Sequence, residues 1–372
     1  MVIGIDGNEA NIENRVGVNQ YAYELLNALY KLPESRKHTF IIYLKDKPRQ
    51  DLPKERQDWE YIVLPGTGLW IIKTLVPHLY SQKHKLDVFF SPSHYVPPIA
   101  PVKLICSIMD LGYLTTRNQF RAYDYWQLRL WTAWSILVSQ KVFAISEATK
   151  KDIVNRYPYA RSKVSVTMLS GDSSVLTNKV TEQAIRKIRQ KYSLGEKYIL
   201  FLSTLKPSKN IVGLLSAWKQ ICGKHGEYKL VIAGKKGWLF GPIFEHAKKL
   251  KLAGRVVFTD FVPDKDKPAL MKGARLFVLP SFWEGFGIDI VNSMVYGVPV
   301  VASDRGSIPE VAGDAGILVG PTKTSDIAHA IDKVLSLGKK DYNKLVFACK
   351  TQAGKFSWTK TALETLEGLT NV

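Results

Sequence analysis

The chain has 372 residues, 46% of them apolar, and carries 52 Lys and Arg against 33 Asp and Glu, a net charge of +19 and an isoelectric point of about 9.6. That is chain enough for two packed domains of ordinary size. No run approaches the roughly eighteen apolar residues of a membrane span, and the opening MVIGID reads as a first strand with no basic region before it, so a cytosolic chain without a signal peptide is expected.

Cys106, Cys222 and Cys349 are far apart and sit in apolar segments, so reduced, buried thiols are expected and neither a disulfide framework nor a CxxC metal pair is available. The histidines show no ligand spacing, and no bound metal is expected. The basic excess is spread over both halves, about +7 for residues 1–180 and about +12 for the rest. A field of that sign suits nucleotide phosphates, an anionic membrane surface or nucleic acid. No nucleic-acid recognition motif accompanies it, so nucleic acid is not expected as a partner.

Along the first half, apolar runs predict strands at Val2 to Ile5, Thr39 to Leu44, Tyr61 to Leu64, Val88 to Ser91, Leu104 to Met109, Val142 to Ile145 and Val164 to Leu169. Short apolar strands separated by helical segments imply a parallel sheet covered on both faces. The spacing of VNQYAYELLNALYK predicts a helix over Val18 to Lys31 with Gly17 just before it. The loop between the first strand and this helix, DGNEANIENRVG, lacks a GxGxxG fingerprint, which argues against a dinucleotide-dependent dehydrogenase; its length points to function. Leu69 to Lys85 and Arg117 to Trp134 mix basic and aromatic residues at helical spacing. Such segments suit either a lipid interface or the core-facing side of a helix. Ser146 is placed to cap the helix that follows VFAI.

A polar stretch, SGDSSVLTNKVT, predicts the linker, giving domains over 1–175 and 180–355 and a last helix in 356–372 that packs back on the first domain. In the second half, strands are expected at Tyr198 to Ser203, Lys229 to Ala233, Val256 to Thr259, Leu276 to Leu279, Val298 to Ala302 and Gly316 to Val319. Helices are expected at Ser325 to Leu337, Asp341 to Ala353 and Thr359 to Leu369. Three strand-to-helix loops converge if this sheet is parallel: Ser203 to Asn210, with Lys206 and Lys209; Ala233 to Gly237, with Lys235; and Pro280 to Gly287, with Glu284-Gly-Phe-Gly287. Unpaired N–H groups at helix starts, two lysines and a hydroxyl-accepting carboxylate suit a sugar attached to a diphosphate. Two strand–helix domains of similar size place such a site in the cleft between them.

The succession ILFLSTLKPSKN, LVIAGKKGW, VVFTDFVPD, ARLFVLPSFWEGFGIDIVNSM and YGVPVVASDRGSIPEVAGDAGILVGP, with GVNQYAYELLNAL and VFAISEATKKDIV before it, resembles the family 4 nucleotide-sugar glycosyltransferases over nearly the whole chain. The resemblance implies an α/β protein of the GT-B type, two Rossmann-like domains facing each other across a cleft. It also implies a retaining, hexosyltransferase-type enzyme that moves a sugar from a nucleoside diphosphate to a glycan or lipid-linked acceptor, needs no metal or other cofactor, and serves polysaccharide biosynthesis at the inner membrane face.

Carried onto this sequence, the resemblance makes Glu284 the ligand of donor-sugar hydroxyls, Lys209 the ligand of the diphosphate and Asp110 a further catalytic residue. Gly17 lies near the phosphates. Phe286, Gly287 and Ile288 offer N–H groups beside Gly285, Phe261 or Val262 adjoins the base, and Ser203, Thr204, Ser208, Gly234 and Lys235 complete the donor loops. The family's second Glu falls at Asn292, which can still hydrogen-bond a ribose hydroxyl of the donor though more weakly than a carboxylate; the Pro before it falls at Asp289, the Arg before the phosphate Lys at Ser208, and the His preceding Asp110 at Met109. Losing a carboxylate and a guanidinium removes charge-assisted contacts. The alternative implied is a weakened homologue that binds a nucleotide-sugar or glycan as a partner protein.

Overall fold

The computed structural model describes residues 1–81, 86–114, 117, 121–177 and 179–372. It divides into two compact units, Met1–Ser170 with Ser357–Val372, and Gly171–Phe356. The change of unit falls at the start of the polar stretch expected as linker, and the short helix Ser173–Thr177 already belongs to the second unit.

In the first unit, β1 (Val2–Asp6), β2 (Thr39–Leu44), β3 (Trp59–Val63), β4 (Val88–Ser91), β5 (Lys103–Ile108), β6 (Lys141–Ala144) and β7 (Val164–Val166) form one sheet in the order β3-β2-β1-β4-β5-β6-β7. Every pairing is parallel. Central strand β4 is buried from end to end and β5 is buried beyond the exposed Lys103 at its start, as a sheet covered by helices on both faces requires. Helix Val18–Lys31 starts at Gly17, whose backbone is left-handed (φ 57°). Ser146 caps helix Glu147–Arg156, its Oγ accepting from Thr149 N–H at 3.0 Å. The last helix, Trp358–Thr370, lies against Val18–Lys31, with the Tyr21 and Trp358 rings 6.4 Å apart.

The second unit repeats the plan with β8 (Lys197–Leu202), β9 (Tyr228–Ala233), β10 (Val256–Asp260), β11 (Leu276–Leu279), β12 (Val300–Ser303) and β13 (Gly316–Val319), all parallel, in the order β10-β9-β8-β11-β12-β13. Each sheet reverses its winding once, between β1 and β4 and between β8 and β11. Ligands of doubly wound sheets bind at the carboxyl ends of the strands flanking such a reversal.

Several sequence expectations shift at their edges, among them the following. β7 ends at Val166 because Thr167 N–H bonds Ala144 O and Met168 O then accepts from Thr361 Oγ1 of the last helix, drawing 167–169 off the sheet. β12 starts at Val300 because Val298 N–H closes the preceding helix on Ser293 O. The expected helix over Leu69 to Lys85 is a π-type turn, Ile71–Leu75, followed by Val76–Ser81, and residues 82–85 lie outside the described ones. The basic-aromatic stretch from Arg117 holds helix Ala122–Val138, with 118–120 likewise outside.

Candidate donor site at the carboxyl ends of the second sheet

The loops after β8, β9 and β11 are tied to one another by main-chain hydrogen bonds. Leu205 N–H bonds Lys235 O and Gly237 N–H bonds Leu205 O, both at 2.9 Å, and Phe282 N–H bonds Ser208 O at 2.8 Å. Asn210, left-handed at φ 53°, donates its amide to Pro280 O (3.1 Å) and Pro321 O (2.6 Å), pinning the β8 loop to the β11 loop and to the turn after β13. The parallel sheet thus brings together the three loops read from the sequence.

At the reversal point between β8 and β11, Lys209 and Glu284 form an ion pair. Lys209 Nζ lies 2.5 Å from Glu284 Oε1 and 2.6 Å from Oε2, and both side chains are 11% exposed. Ser281 Oγ donates to Oε1 at 2.6 Å. An ammonium has three donors and a carboxylate about four acceptor sites. Two Lys209 donors are taken, leaving the third for an anion, and Oε2 retains a lone pair for a hydroxyl. The main chain of Glu284 is fixed from outside its own loop: Ser307 N–H (3.2 Å) and Oγ (3.1 Å) both bond Glu284 O. Gly306 is left-handed (φ 59°), and any Cβ there would collide with that same carbonyl. Ser281, Gly306 and Ser307 were absent from the sequence reading of the site; a Gly-Ser pair at the entry to helix Ile308–Ala312 was the signal available.

Helix Ile288–Val295 begins at Gly287, left-handed (φ 91°) and without a side-chain cap. Among the described residues, no acceptor takes the N–H groups of Phe286, Gly287 or Ile288. First-turn N–H groups point out of the helix end, where an anion is favoured. Gly285 is buried, and the Phe286 side chain packs edge-on against Phe356 at 5.6 Å, so only the main chain of this pair can meet a ligand.

Asn292 is placed otherwise than the sequence suggested, and here the structure corrects the reading. It is fully buried, its Oδ1 accepts from Asp172 N–H at 2.7 Å, and its amide donates to Asp172 Oδ2 (3.1 Å) and Asp289 Oδ1 (3.3 Å). Both amide protons are spent inside the protein, fastening the first residues of the second unit to the helix rather than gripping a ribose. Lys267 completes the cluster, 2.7 Å from Asp264 and 3.9 Å from Asp172. Burial opposes its charge, but Asp172, then Asp264 and Asp289, hold its ammonium above the usual range.

Asp289, half-buried on the first turn, is pushed up to about 7 by desolvation and next by the Asp172 carboxylate, against the pull of Lys267, Asn292 and Lys209. A free Asp titrates near 3.9, so between roughly pH 4 and 7 the native state holds a proton that the unfolded chain has lost, and stability falls as pH rises through that window. Asp289→Asn is therefore expected to raise the thermal midpoint at pH 8 by roughly 3–6 °C and to leave it nearly unchanged at pH 4.5. Thermal melts of parent and variant at the two pH values check this; equal shifts at both would contradict it.

The remaining expected residues are distributed as follows. Ser203 and Thr204 are half-buried on the β8 loop, and Ser208 contributes its carbonyl to Phe282. Gly234 is a packing glycine, since a Cβ on it would overlap Ser203 O. Lys235 is half-buried and forms no ion pair among the described residues, whereas Lys236 pairs with Asp260 at 3.1 Å. Val262, 1% exposed after edge strand β10, has its side chain in the core, so of the two residues expected beside a base only the half-buried Phe261 offers a side chain. Gly17 and Asp110 belong to the first unit, at the carboxyl ends of β1 and β5; Asp110 Oδ1 accepts from Gly112 N–H at 2.7 Å. The three cysteines are free and buried, and no group of three or more His, Cys, Asp or Glu set to hold a metal occurs among the described residues.

Residues 184–348 match the family model described as Glycosyl transferases group 1. The chain is 32% identical over 229 residues to an O-antigen chain mannosyltransferase B of Escherichia coli, covering 60% of this chain and 59% of that protein. It is 30% identical over 235 residues to a serotype-specific mannosyltransferase WbdA of the same species, covering 62% and 29%. The match thus spans about three-fifths or less of the length of these relatives. Among solved structures, the Anabaena protein Alr3699/HepE in complex with UDP-glucose superposes with a TM-score of 0.76 at 19% identity, over 100% of this chain and 99% of that one. Two parallel Rossmann-like sheets are the GT-B fold of such neighbours, and residues 184–348 of the second unit are what resembles the glycosyl transferases group 1.

Proposed function

We propose that the chain is a retaining glycosyltransferase that moves a hexose, with mannose the first candidate, from a nucleoside diphosphate to a glycan or lipid-linked acceptor. The observation that carries this is the Lys209–Glu284 pair beside unpaired helix N–H groups at the reversal point of the second sheet. Mannose is favoured by the mannosyltransferase relatives. Glu284 Oε2 takes a donor-sugar hydroxyl, and the third Lys209 proton with the Phe286–Ile288 N–H groups holds the diphosphate as negative charge builds on it. As the anomeric C–O bond to the diphosphate breaks, the acceptor oxygen bonds to the same face of that carbon and its proton passes to a departing phosphate oxygen. No metal is required for that charge balance. The carboxylate that the resemblance places at 292 is supplied one helical turn earlier by Asp289, whose partial protonation near neutrality lets it accept from or donate to a ribose hydroxyl.

A second reading, a partner protein that binds a nucleotide-sugar without turning it over, is favoured by Ser208 and Met109, which supply neither guanidinium nor imidazole. Incubation with a panel of UDP-, GDP- and dTDP-sugars, with and without membrane-extracted acceptors, separates the two by nucleotide release. Release that depends on Glu284 supports transfer; binding of a donor with no release under any condition establishes the second reading.

A further inference from the structure

Helix Ala122–Val138 is apolar on two opposite faces. Tyr125, Thr132, Ser135 and Ile136 face the first unit's interior, and Trp131 Nε1 donates to Val96 O at 3.0 Å. On the other side Tyr123, Trp126, Leu130, Trp134 and Leu137 are 74%, 43%, 64%, 44% and 53% exposed. At 100° per residue, spacings of three and four put these five within an arc of about 80°, and at 1.5 Å per residue they run about 21 Å along the helix. Trp134 Nε1 bonds Pro98 O at 3.0 Å, which brings Ile99, 58% exposed, to the end of the stripe. An outward apolar seam of this length is not a normal solvated face.

The charges around the seam say what covers it. Arg117 and Arg121 stand at its start and Arg129 on its flank. The guanidinium carbons of Arg117 and Arg129 lie 5.9 and 5.0 Å from the Trp126 ring centroid, and Asp124 is the one acidic residue of the helix. Indole and phenol rings with arginines beside them match the headgroup depth of an anionic bilayer, apolar edge inward and guanidinium on phosphate. A second copy of the chain would offer the same arginines and the same net charge of +19, which repels where the bilayer attracts.

We infer that this helix docks the first unit in the plane of an anionic membrane surface. The inference does not depend on sugar transfer, since it rests on the seam alone. None of the described helices is long and apolar enough to cross a membrane, so the contact is interfacial.

Flotation with phosphatidylcholine vesicles containing about 30% phosphatidylglycerol, against phosphatidylcholine alone, tests it. The full chain is expected to bind the anionic vesicles at least about tenfold more tightly and to lose that preference in high salt. Leu130→Glu/Leu137→Glu, at two exposed positions without hydrogen bonds, is expected to weaken binding on the order of 100-fold with an unchanged thermal midpoint. The inference is overturned if the parent stays unbound at low salt, or if the double variant floats like the parent. It is also overturned if light scattering shows a dimer of the free protein that the double variant makes monomeric, which would give the seam to a second copy.

Discussion

Glu284→Gln is expected to lower the turnover of the preferred donor by about 10²- to 10³-fold, the usual cost of one preorganised polar contact to developing charge, while leaving nucleotide affinity intact. The amide keeps the shape of the carboxylate but no longer holds Lys209 as an ion pair partner (2.5 and 2.6 Å in the parent). The freed ammonium is then wholly available to the diphosphate. Lys209→Ala acts in the opposite sense: it removes the cation proposed to meet the leaving group and strands a carboxylate that is 11% exposed with only Ser281 to support it. Its expected signature is a loss of both kcat and donor affinity, with a lower thermal midpoint, because a buried charge without its partner is costly. The contrast in KM between the two variants, measured with one donor, is the check; two variants that lose affinity alike would contradict the division of labour between the residues.

The second large effect concerns Asn292. Asn292→Ala is expected to destabilise the second unit by about 3 kcal/mol, because it leaves the buried Asp172 N–H without its acceptor and takes the amide donor from Asp172 Oδ2 and Asp289 Oδ1. Asn292→Glu, which installs the carboxylate that the sequence resemblance places there, is expected to do worse, about 4 kcal/mol, since it sets a third carboxylate beside Asp172 and Asp289 with Lys267 as the nearby cation. Urea unfolding of the two variants decides this. If Asn292→Glu were as stable as the parent at pH 8, the cluster would not be the electrostatic unit described.

Lys209, Glu284 and Asn292 also show what the sequence could and could not disclose. Lys209 and Glu284 were legible because each lies at a strand-to-helix loop marked by its own Gly or Pro neighbours, and because parallel strands place successive loops at one edge of the sheet. Asn292 was misread because its partner, Asp172, is 120 residues away, a pairing that no local pattern announces. The same holds for Ser307, which fixes Glu284 O from 23 residues downstream. Strands were found wherever both faces are buried, as in β4 and β11, whose bounds agree residue for residue with the expected ones. β3 was placed two residues late because Glu60 interrupts the apolar run, although Trp59 beside it is fully buried against Phe40 and Tyr30. Helix Ala122–Val138 was ambiguous for a related reason: apolar residues on both faces leave the sequence without a contrast that says which face the core takes.

The most direct measurement is calorimetric binding of GDP and UDP, without sugar or acceptor, to the full chain, to Glu284→Gln and to Lys209→Ala. The geometry predicts that at least one nucleotide binds the parent, binds Glu284→Gln as tightly or more tightly, and binds Lys209→Ala at least about tenfold more weakly. Equal affinity of parent and Lys209→Ala, or no binding of either nucleotide to the parent, would contradict a diphosphate site at the reversal point of the second sheet.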